Sequence, residues 1–200
     1  MSIPYFGATT VGIRVSEGVV LASEKRMSYG GFIISRAGKK VFKITDRIGV
    51  AFAGLFADMQ ALARILGTEV KFYELTVGKK MNVRSAAKLL SNILYSQKIL
   101  PFFSEVLVGG YDSEGSHLFV LDPLGSVIED DYAAVGSGAS IAIGVIESAY
   151  KKDLSLADAE KIVISSIEAA MKRDTGSGDG IDIIVISKDK ILEKEVEVKK

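Results

Sequence analysis

The chain has 200 residues, which predicts a single domain whose core needs no disulfide or metal to stabilise it. Because 25 Lys and Arg balance 25 Asp and Glu, the net charge attracts neither nucleic acid nor an anionic membrane, and neither is an expected partner. The sequence has no Cys and one His, His117, which excludes a cysteine nucleophile, thiolate metal sites and multi-histidine metal centres. No apolar run reaches the ~20 residues of a membrane helix, so we expect a cytoplasmic protein, and no residue pattern requires a cofactor.

Alternating apolar and polar residues near the start of the chain predict strands, and apolar residues at helical spacing follow them. The predicted elements of the first half are two hairpins, 10–15 with 18–22 and 41–44 with 48–53, and helices at 55–73 and 83–97. Asn82 is a suitable N-cap for the second helix, because its side-chain oxygen can accept a backbone hydrogen bond.

Strand patterns return in the second half, separated by turn-rich segments. The predicted elements there are strands at 105–111, 117–121 and 126–128, helices at 139–150 and 156–173, and a last strand at 181–187. Ser155 and Asp158 fit a capping box, and the Lys- and Glu-rich segment from Lys188 is expected to be exposed. No repeat or linker divides the chain, and helix pairs alternating with groups of strands predict an α+β fold of two packed sheets with helix layers outside.

The scarcity of His and Cys limits the nucleophiles to Ser, Thr and Lys, which then need an unusual base. An α-amino group is one such base, since its pKa of roughly 7.7–8.0 is close to working pH. An N-terminal Thr would therefore supply both nucleophile and base. We expect such a site at the start of the first strand, at Thr9 and Thr10 just after Gly7.

Seven short motifs occur in chain order between residues 7 and 178: GATTVG at 7–12, GVVLASEKR at 18–26, GKKVF at 38–42, AG at 53–54, LVGGYD at 107–112, GSG at 136–138 and KRDTGSG at 172–178. With these motifs the chain resembles proteasome β subunits of the archaeal type, in the N-terminal nucleophile hydrolase superfamily. The resemblance runs to about residue 187 and implies a four-layer α-β-β-α sandwich of two antiparallel sheets flanked by helix pairs. It also implies a propeptide at 1–7, cleaved between Gly7 and Ala8, and a β-subunit domain at 8–200.

The resemblance implies a threonine nucleophile directly after the glycine, an acidic residue 16 positions later and a lysine 32 positions later. Glu24 and Lys40 match the last two, and both spacings place the nucleophile at position 8. That residue is Ala8, which has no hydroxyl. Thr9 would shift both spacings by one, and as a strand neighbour its side chain should point away from Lys40.

The resemblance assigns a role to each remaining site residue. Lys40 would be a buried cation that lowers the pKa of the nucleophile, Glu24 would balance its charge, and the Gly54 amide would be the oxyanion donor. The residues that would orient the amine and a nearby water are Ser137, Asp174 and Ser177. The residues that would line an apolar specificity pocket, favouring cleavage after hydrophobic side chains, are Met27, Phe52 and Phe56.

Several of these residues also have a purely structural interpretation. Glu24 and Lys40 alone would be an ordinary ion pair. Gly54 would end a strand before a helix, and Phe52 and Phe56 would be core residues. Only the seven motifs together favour the functional assignment.

The assembly implied by the resemblance is a heptameric β ring stacked against rings of α subunits. Unfolded polypeptide would be hydrolysed inside this barrel, with an ATP-dependent unfoldase as an indirect partner.

Two functional classes stay open. The first is a threonine endopeptidase subunit whose nucleophile has been replaced by Ala8, most simply by engineering. The second is a naturally inactive β subunit with a structural or assembly role. Retention of the other site residues favours the first, because a site long out of use has no physical need for that set. The two-component bacterial relative of the proteasome is a weaker alternative, since residues 107–112 fit the archaeal type better.

Overall fold

The structure is a computed structural model and describes residues 7–29 and 31–198. Residues 1–6, all but the last residue of the predicted propeptide, lie outside the described residues. The helices are α1 (Phe56–Val77), α2 (Val83–Ser96), α3 (Ala139–Ala149) and α4 (Leu156–Met171). The strands are β1 (Thr10–Val15), β2 (Gly18–Glu24), β3 (Met27–Tyr29), β4 (Phe32–Ser35), β5 (Val41–Lys43), β6 (Ile48–Gly54), β7 (Ser104–Asp112), β8 (Gly115–Leu121), β9 (Val127–Glu129), β10 (Tyr132–Val135), β11 (Ile181–Ser187) and β12 (Ile191–Val196).

Ten of these strands form two antiparallel five-stranded sheets. The first has the order β10-β1-β2-β11-β12, and the second has the order β5-β6-β7-β8-β9. Both predicted hairpins are confirmed, as β1 with β2 and β5 with β6. Strands β3 and β4 form a separate two-stranded hairpin.

The two sheets pack face to face, and each carries a helix pair on its outer face. Strand β2 shows the reason, because its residues alternate between the two sides. Val20 and Ala22 join the core that the first sheet forms with α3 and α4, whereas Val19 and Leu21 pack between the sheets. A third apolar cluster joins the second sheet to α1 and α2. The α+β fold is therefore the predicted four-layer α-β-β-α sandwich.

Four strands were not predicted, because none of them has four or more residues that alternate between apolar and polar types. Strands β3 and β4 are short and contain no fully buried residue, and β10 follows two aspartates and lies at a sheet edge. Strand β12 lies within the segment expected to be exposed. That exposure is confirmed for its central residues, yet the strand pairs with β11 along six residues. Backbone hydrogen bonds suffice for this pairing, and charged side chains are common on edge strands.

Helix α1 extends four residues beyond its predicted end at residue 73. Its last turn contains exposed apolar residues, Leu75 and Val77, so the buried periodicity stops before the helix does. Gly78 ends the helix with a left-handed φ of 71°, and its N–H donates to the Glu74 carbonyl.

Helices α2 and α4 begin where predicted, because the side chains of Asn82 and Ser155 accept backbone hydrogen bonds from Ser85 and Asp158. None of the helices in the described ranges is both long and apolar enough to cross a membrane.

Candidate active site

The predicted site residues come from six chain segments that meet at one end of the sheets. Strand β2 is central, because it pairs with β1 on one side and β11 on the other. Its last residue, Glu24, lies opposite Ile181 and next to the segment that enters β1. Ala8 precedes β1, Lys40 precedes β5 and Gly54 ends β6. Ser137 lies in the turn after β10, and Asp174 and Ser177 lie in the turn after α4.

Glu24 and Lys40 form a buried ion pair, with 0% and 2% of their surfaces exposed. The Lys40 Nζ donates to the Glu24 carboxylate, to the Glu24 carbonyl at 3.0 Å and to the Arg26 carbonyl at 2.7 Å. All three ammonium protons therefore have an acceptor. The Glu24 carboxylate also accepts from the backbone N–H groups of Arg26 at 2.6 Å and Gly178 at 3.0 Å.

Burial opposes the charged form of both partners. It raises the pKa of Glu24, although Lys40 and the backbone donors act in the opposite direction. It lowers the pKa of Lys40, against the attraction of Glu24. Each charge is therefore tolerated only because the other is present.

A second group of residues forms a hydrogen-bonded chain around Ala8. The Ala8 N–H donates to the Ser137 hydroxyl at 3.0 Å, and that hydroxyl lies 2.6 Å from Asp174 Oδ2. The Ser177 hydroxyl donates to the same carboxylate oxygen at 2.6 Å. The structure thus brings Ala8, Ser137, Asp174 and Ser177 together.

Thr9 extends this chain through a contact that no sequence pattern predicts. Its hydroxyl lies 2.7 Å from the Ser177 hydroxyl, and both residues are fully buried. The Lys40 ammonium group donates to Glu24 and Arg26. This arrangement is consistent with the prediction that the Thr9 side chain points away from Lys40. Strand alternation predicted the face of Thr9, but its partner comes from a turn 168 residues away.

Sequence reasoning also missed Glu105 on β7. Its Oε2 accepts a hydrogen bond from the Gly136 N–H at 2.8 Å and so holds the turn that carries Ser137. Gly136 has a φ of 93°, and a Cβ there would lie 2.4 Å from the Ala8 carbonyl oxygen. Only glycine therefore fits this close approach.

An apolar pocket of about 350 Å³ opens beside these residues. Its lining includes two of the three candidate pocket residues, Met27 and Phe56, together with Ile34, Gly54 and Lys40. Gly54 has a φ of 134°, and a Cβ there would lie 2.1 Å from the Phe103 carbonyl oxygen. Only glycine therefore fits at this position.

Phe52, the third predicted pocket residue, does not line this pocket. Its side chain is fully buried in the cluster between the second sheet and helices α1 and α2. Its ring packs edge-on against Phe42, with 5.8 Å between centroids. Because side chains alternate along β6, Phe52 points toward the helices. Phe52 is therefore a core residue, which was the structural alternative drawn from the sequence.

Chemically, the site combines a buried cation, a carboxylate and several hydroxyls around a residue with a methyl side chain. The Ala8 side chain has no atom that can attack a carbonyl or give up a proton. In the described ranges, no group of three His, Asp or Glu side chains is placed to hold a metal ion.

Comparison with known proteins gives one consistent result. The sequence profile of the family described as "Proteasome subunit" matches residues 5–186. Proteasome subunit beta 1 of Hyperthermus butylicus is 59% identical over 157 residues, covering 78% of this chain and 77% of the relative. Proteasome subunit beta 2 of Pyrobaculum arsenaticum is 58% identical over 156 residues, with coverage of 78% and 77%. Proteasome subunit beta 1 of Ignicoccus hospitalis is 56% identical over 156 residues, covering 78% of each chain. The chain therefore belongs to the proteasome subunit family.

Proposed function

We propose that this chain is a β subunit of an archaeal-type proteasome core particle whose peptidase site is assembled but lacks its nucleophile. In that role it occupies a heptameric β ring between α-subunit rings, in the cytoplasm, and encloses unfolded polypeptide delivered by an ATP-dependent unfoldase. Active subunits of such a ring hydrolyse peptide bonds with an N-terminal threonine. This chain contributes part of the ring and a substrate pocket, but it does not cleave peptide bonds itself.

The environment of Ala8 is the observation that carries this proposal. Its N–H bonds to Ser137, its carbonyl lies against Gly136, and its side chain lies within the apolar cluster between the sheets. The spacings from Glu24 and Lys40 lead to the same position. These contacts and spacings support residue 8 as the position of a missing nucleophile.

The missing hydroxyl also prevents removal of the leader. Self-cleavage requires the hydroxyl at position 8 to attack the Gly7 carbonyl carbon, so that an ester forms while the C–N bond breaks and frees the amine. Water then hydrolyses the ester and releases the leader as a carboxylate. Ala8 cannot start this sequence, so the Gly7–Ala8 bond stays intact and residues 1–7 remain attached.

The substitution Ala8→Thr tests the proposal, with Ala8→Val as the matched control. Valine has nearly the shape of threonine, with a methyl in place of the hydroxyl, so any difference between the variants reports the oxygen alone. Each chain is assembled with α subunits and its intact mass is measured. The particles are then assayed with a short peptide bearing an apolar residue before a fluorogenic leaving group. We expect Ala8→Thr to lose residues 1–7 and to hydrolyse the peptide, and Ala8→Val to do neither.

Three results would contradict the proposal. If the Ala8 chain cleaves the peptide and Thr9→Val abolishes that activity, then Thr9 is the nucleophile and the assignment is displaced by one residue. If Ala8→Thr is neither trimmed nor active in assembled particles, the site is not the one proposed. A chain that stays a monomer in the presence of α subunits would rule out the ring.

A further inference from the structure

The backbone of Arg26 contacts both members of the buried ion pair. Its N–H donates to Glu24 Oε2 at 2.6 Å, and its carbonyl accepts from the Lys40 Nζ at 2.7 Å. A shift of this residue would therefore move donor and acceptor together. The position of the Glu24–Lys40 pair depends on where Arg26 is held.

The Arg26 side chain is held by the turn that carries Asp174 and Ser177. Its Nη1 donates to the Thr175 carbonyl at 2.9 Å, and its guanidinium packs against Gly178, where a Cβ would be 2.3 Å from Nη2. The Gly178 N–H in turn donates to Glu24. Arg26 thus bridges the two halves of the site, the ion pair and the hydroxyl-bearing turn.

Asp179 fixes the other end of this bridge. Its Oδ2 accepts from Arg26 Nε at 2.8 Å, and only 6% of its side chain is exposed. Its φ is 70°, the left-handed region that non-glycine residues adopt at a cost of about 1 kcal/mol or more. Aspartate tolerates this conformation better than most residues, and a bend there turns the carboxylate back onto Arg26.

We propose that Asp179 is a positioning residue that clamps the Asp174–Ser177 turn to the Glu24–Lys40 pair through the side chain of Arg26. The clamp acts before any substrate arrives, and Asp179 is not among the residues that line the pocket. Its effect on peptide hydrolysis rests on the proposed function, whereas its effect on the turn does not.

The test variant is Asp179→Asn, because asparagine keeps the size and the tolerance for positive φ and loses the charge. Arg36→Gln is the matched control. Arg36 approaches the same carboxylate at 3.7 Å, but it is 59% exposed and does not contact the turn through any described hydrogen bond. A general loss of charge around Asp179 would affect both variants, whereas loss of the clamp affects only the first.

The first measurement is amide hydrogen exchange over residues 174–180 in the full Ala8 chain. Loss of a charge-assisted hydrogen bond should accelerate exchange there at least about ten-fold in Asp179→Asn. Arg36→Gln should exchange like the parent chain. Equal exchange in Asp179→Asn and the parent would overturn the clamp, whatever the subunit does in a particle.

The second measurement combines each variant with Ala8→Thr in assembled particles. We expect Asp179→Asn to lower kcat about ten-fold or more and to leave KM unchanged, since the pocket lining is intact and only the alignment of the site is lost. An unchanged kcat alongside faster exchange would show that the clamp is structural only and would overturn the positioning role. An inert Ala8→Thr chain would overturn the proposed function and any catalytic effect of Asp179, while the exchange experiment would still decide whether the clamp exists.

Discussion

Removal of the Lys40 charge should strongly destabilise the fold. The substitution Lys40→Met keeps most of the side-chain volume, so the change isolates the ammonium group. It leaves the fully buried Glu24 carboxylate without its cation, and breaking one side of a buried pair costs about 3–5 kcal/mol. Urea-induced unfolding of the full chain, followed by circular dichroism, measures this difference.

The neighbouring lysine provides the matched control. Lys39 pairs with Glu193 at 2.8 Å, but the two side chains are 54% and 46% exposed. Lys39→Met should therefore cost no more than about 1 kcal/mol. The double variant Glu24→Gln with Lys40→Met should recover at least about 1 kcal/mol of the loss, because no unpaired charge remains and the amide oxygen still accepts from the backbone.

The cost of Lys40→Met should also depend on pH. Burial already raises the pKa of Glu24, and without Lys40 the main opposing influence is gone. A carboxyl with a raised pKa in the folded state is protonated there before it is protonated in the unfolded chain, so stability falls as pH rises through the folded-state pKa. Lowering the pH from about 8 to about 5 should therefore recover part of the loss. A loss below about 1 kcal/mol that does not change with pH would refute the reasoning, because it would mean that the pair is not buried as a charged pair.

Two further outcomes are expected away from the site. Although burial opposes it, hydrogen bonds from His117 and Arg84 lower the pKa of Glu129, so its stabilisation is present above the ordinary carboxyl pKa and is lost as pH falls. Glu129→Gln should therefore flatten the acid side of the stability profile measured by urea unfolding, and an unchanged profile would contradict this. Asn82→Ala should cost about 1 kcal/mol by removing the N-cap of α2, whereas Asn92→Ala, exposed within the same helix, should cost less than half of that.

The elements that were predictable from the sequence are those specified by neighbouring residues. The β1–β2 hairpin depends on alternation around a two-residue turn, and α2 depends on apolar spacing after Asn82. Strand β12 was missed because it is defined by its pairing with β11 and not by its own side chains. A strand of this kind has no local signal in a single sequence.

The same distinction applies to the candidate site. Motif spacing was enough to select Glu24 and Lys40, and the structure places their charged groups in direct contact. The Thr9–Ser177 bond joins residues 168 apart, and the Arg26–Asp179 bond joins residues 153 apart. These residues come into contact only because the turn after α4 folds back onto the end of β2, so no local sequence pattern identifies them as partners.

The folded geometry also gives a physical reason for the survival of the site around Ala8. Lys40 cannot be lost without leaving Glu24 as an unpaired buried charge, and Asp174 holds both Ser137 and Ser177 in place. These residues therefore stabilise the fold whether or not any peptide bond is cleaved. Contrary to the argument from the sequence, their retention does not distinguish a recently replaced nucleophile from a naturally inactive subunit. Residue 8 differs, because a methyl group in the apolar cluster between the sheets leaves no charge unpaired. Under the proposed function, loss of the side-chain hydroxyl at residue 8 would therefore leave the buried ion pair and the hydrogen bonds of Asp174 intact.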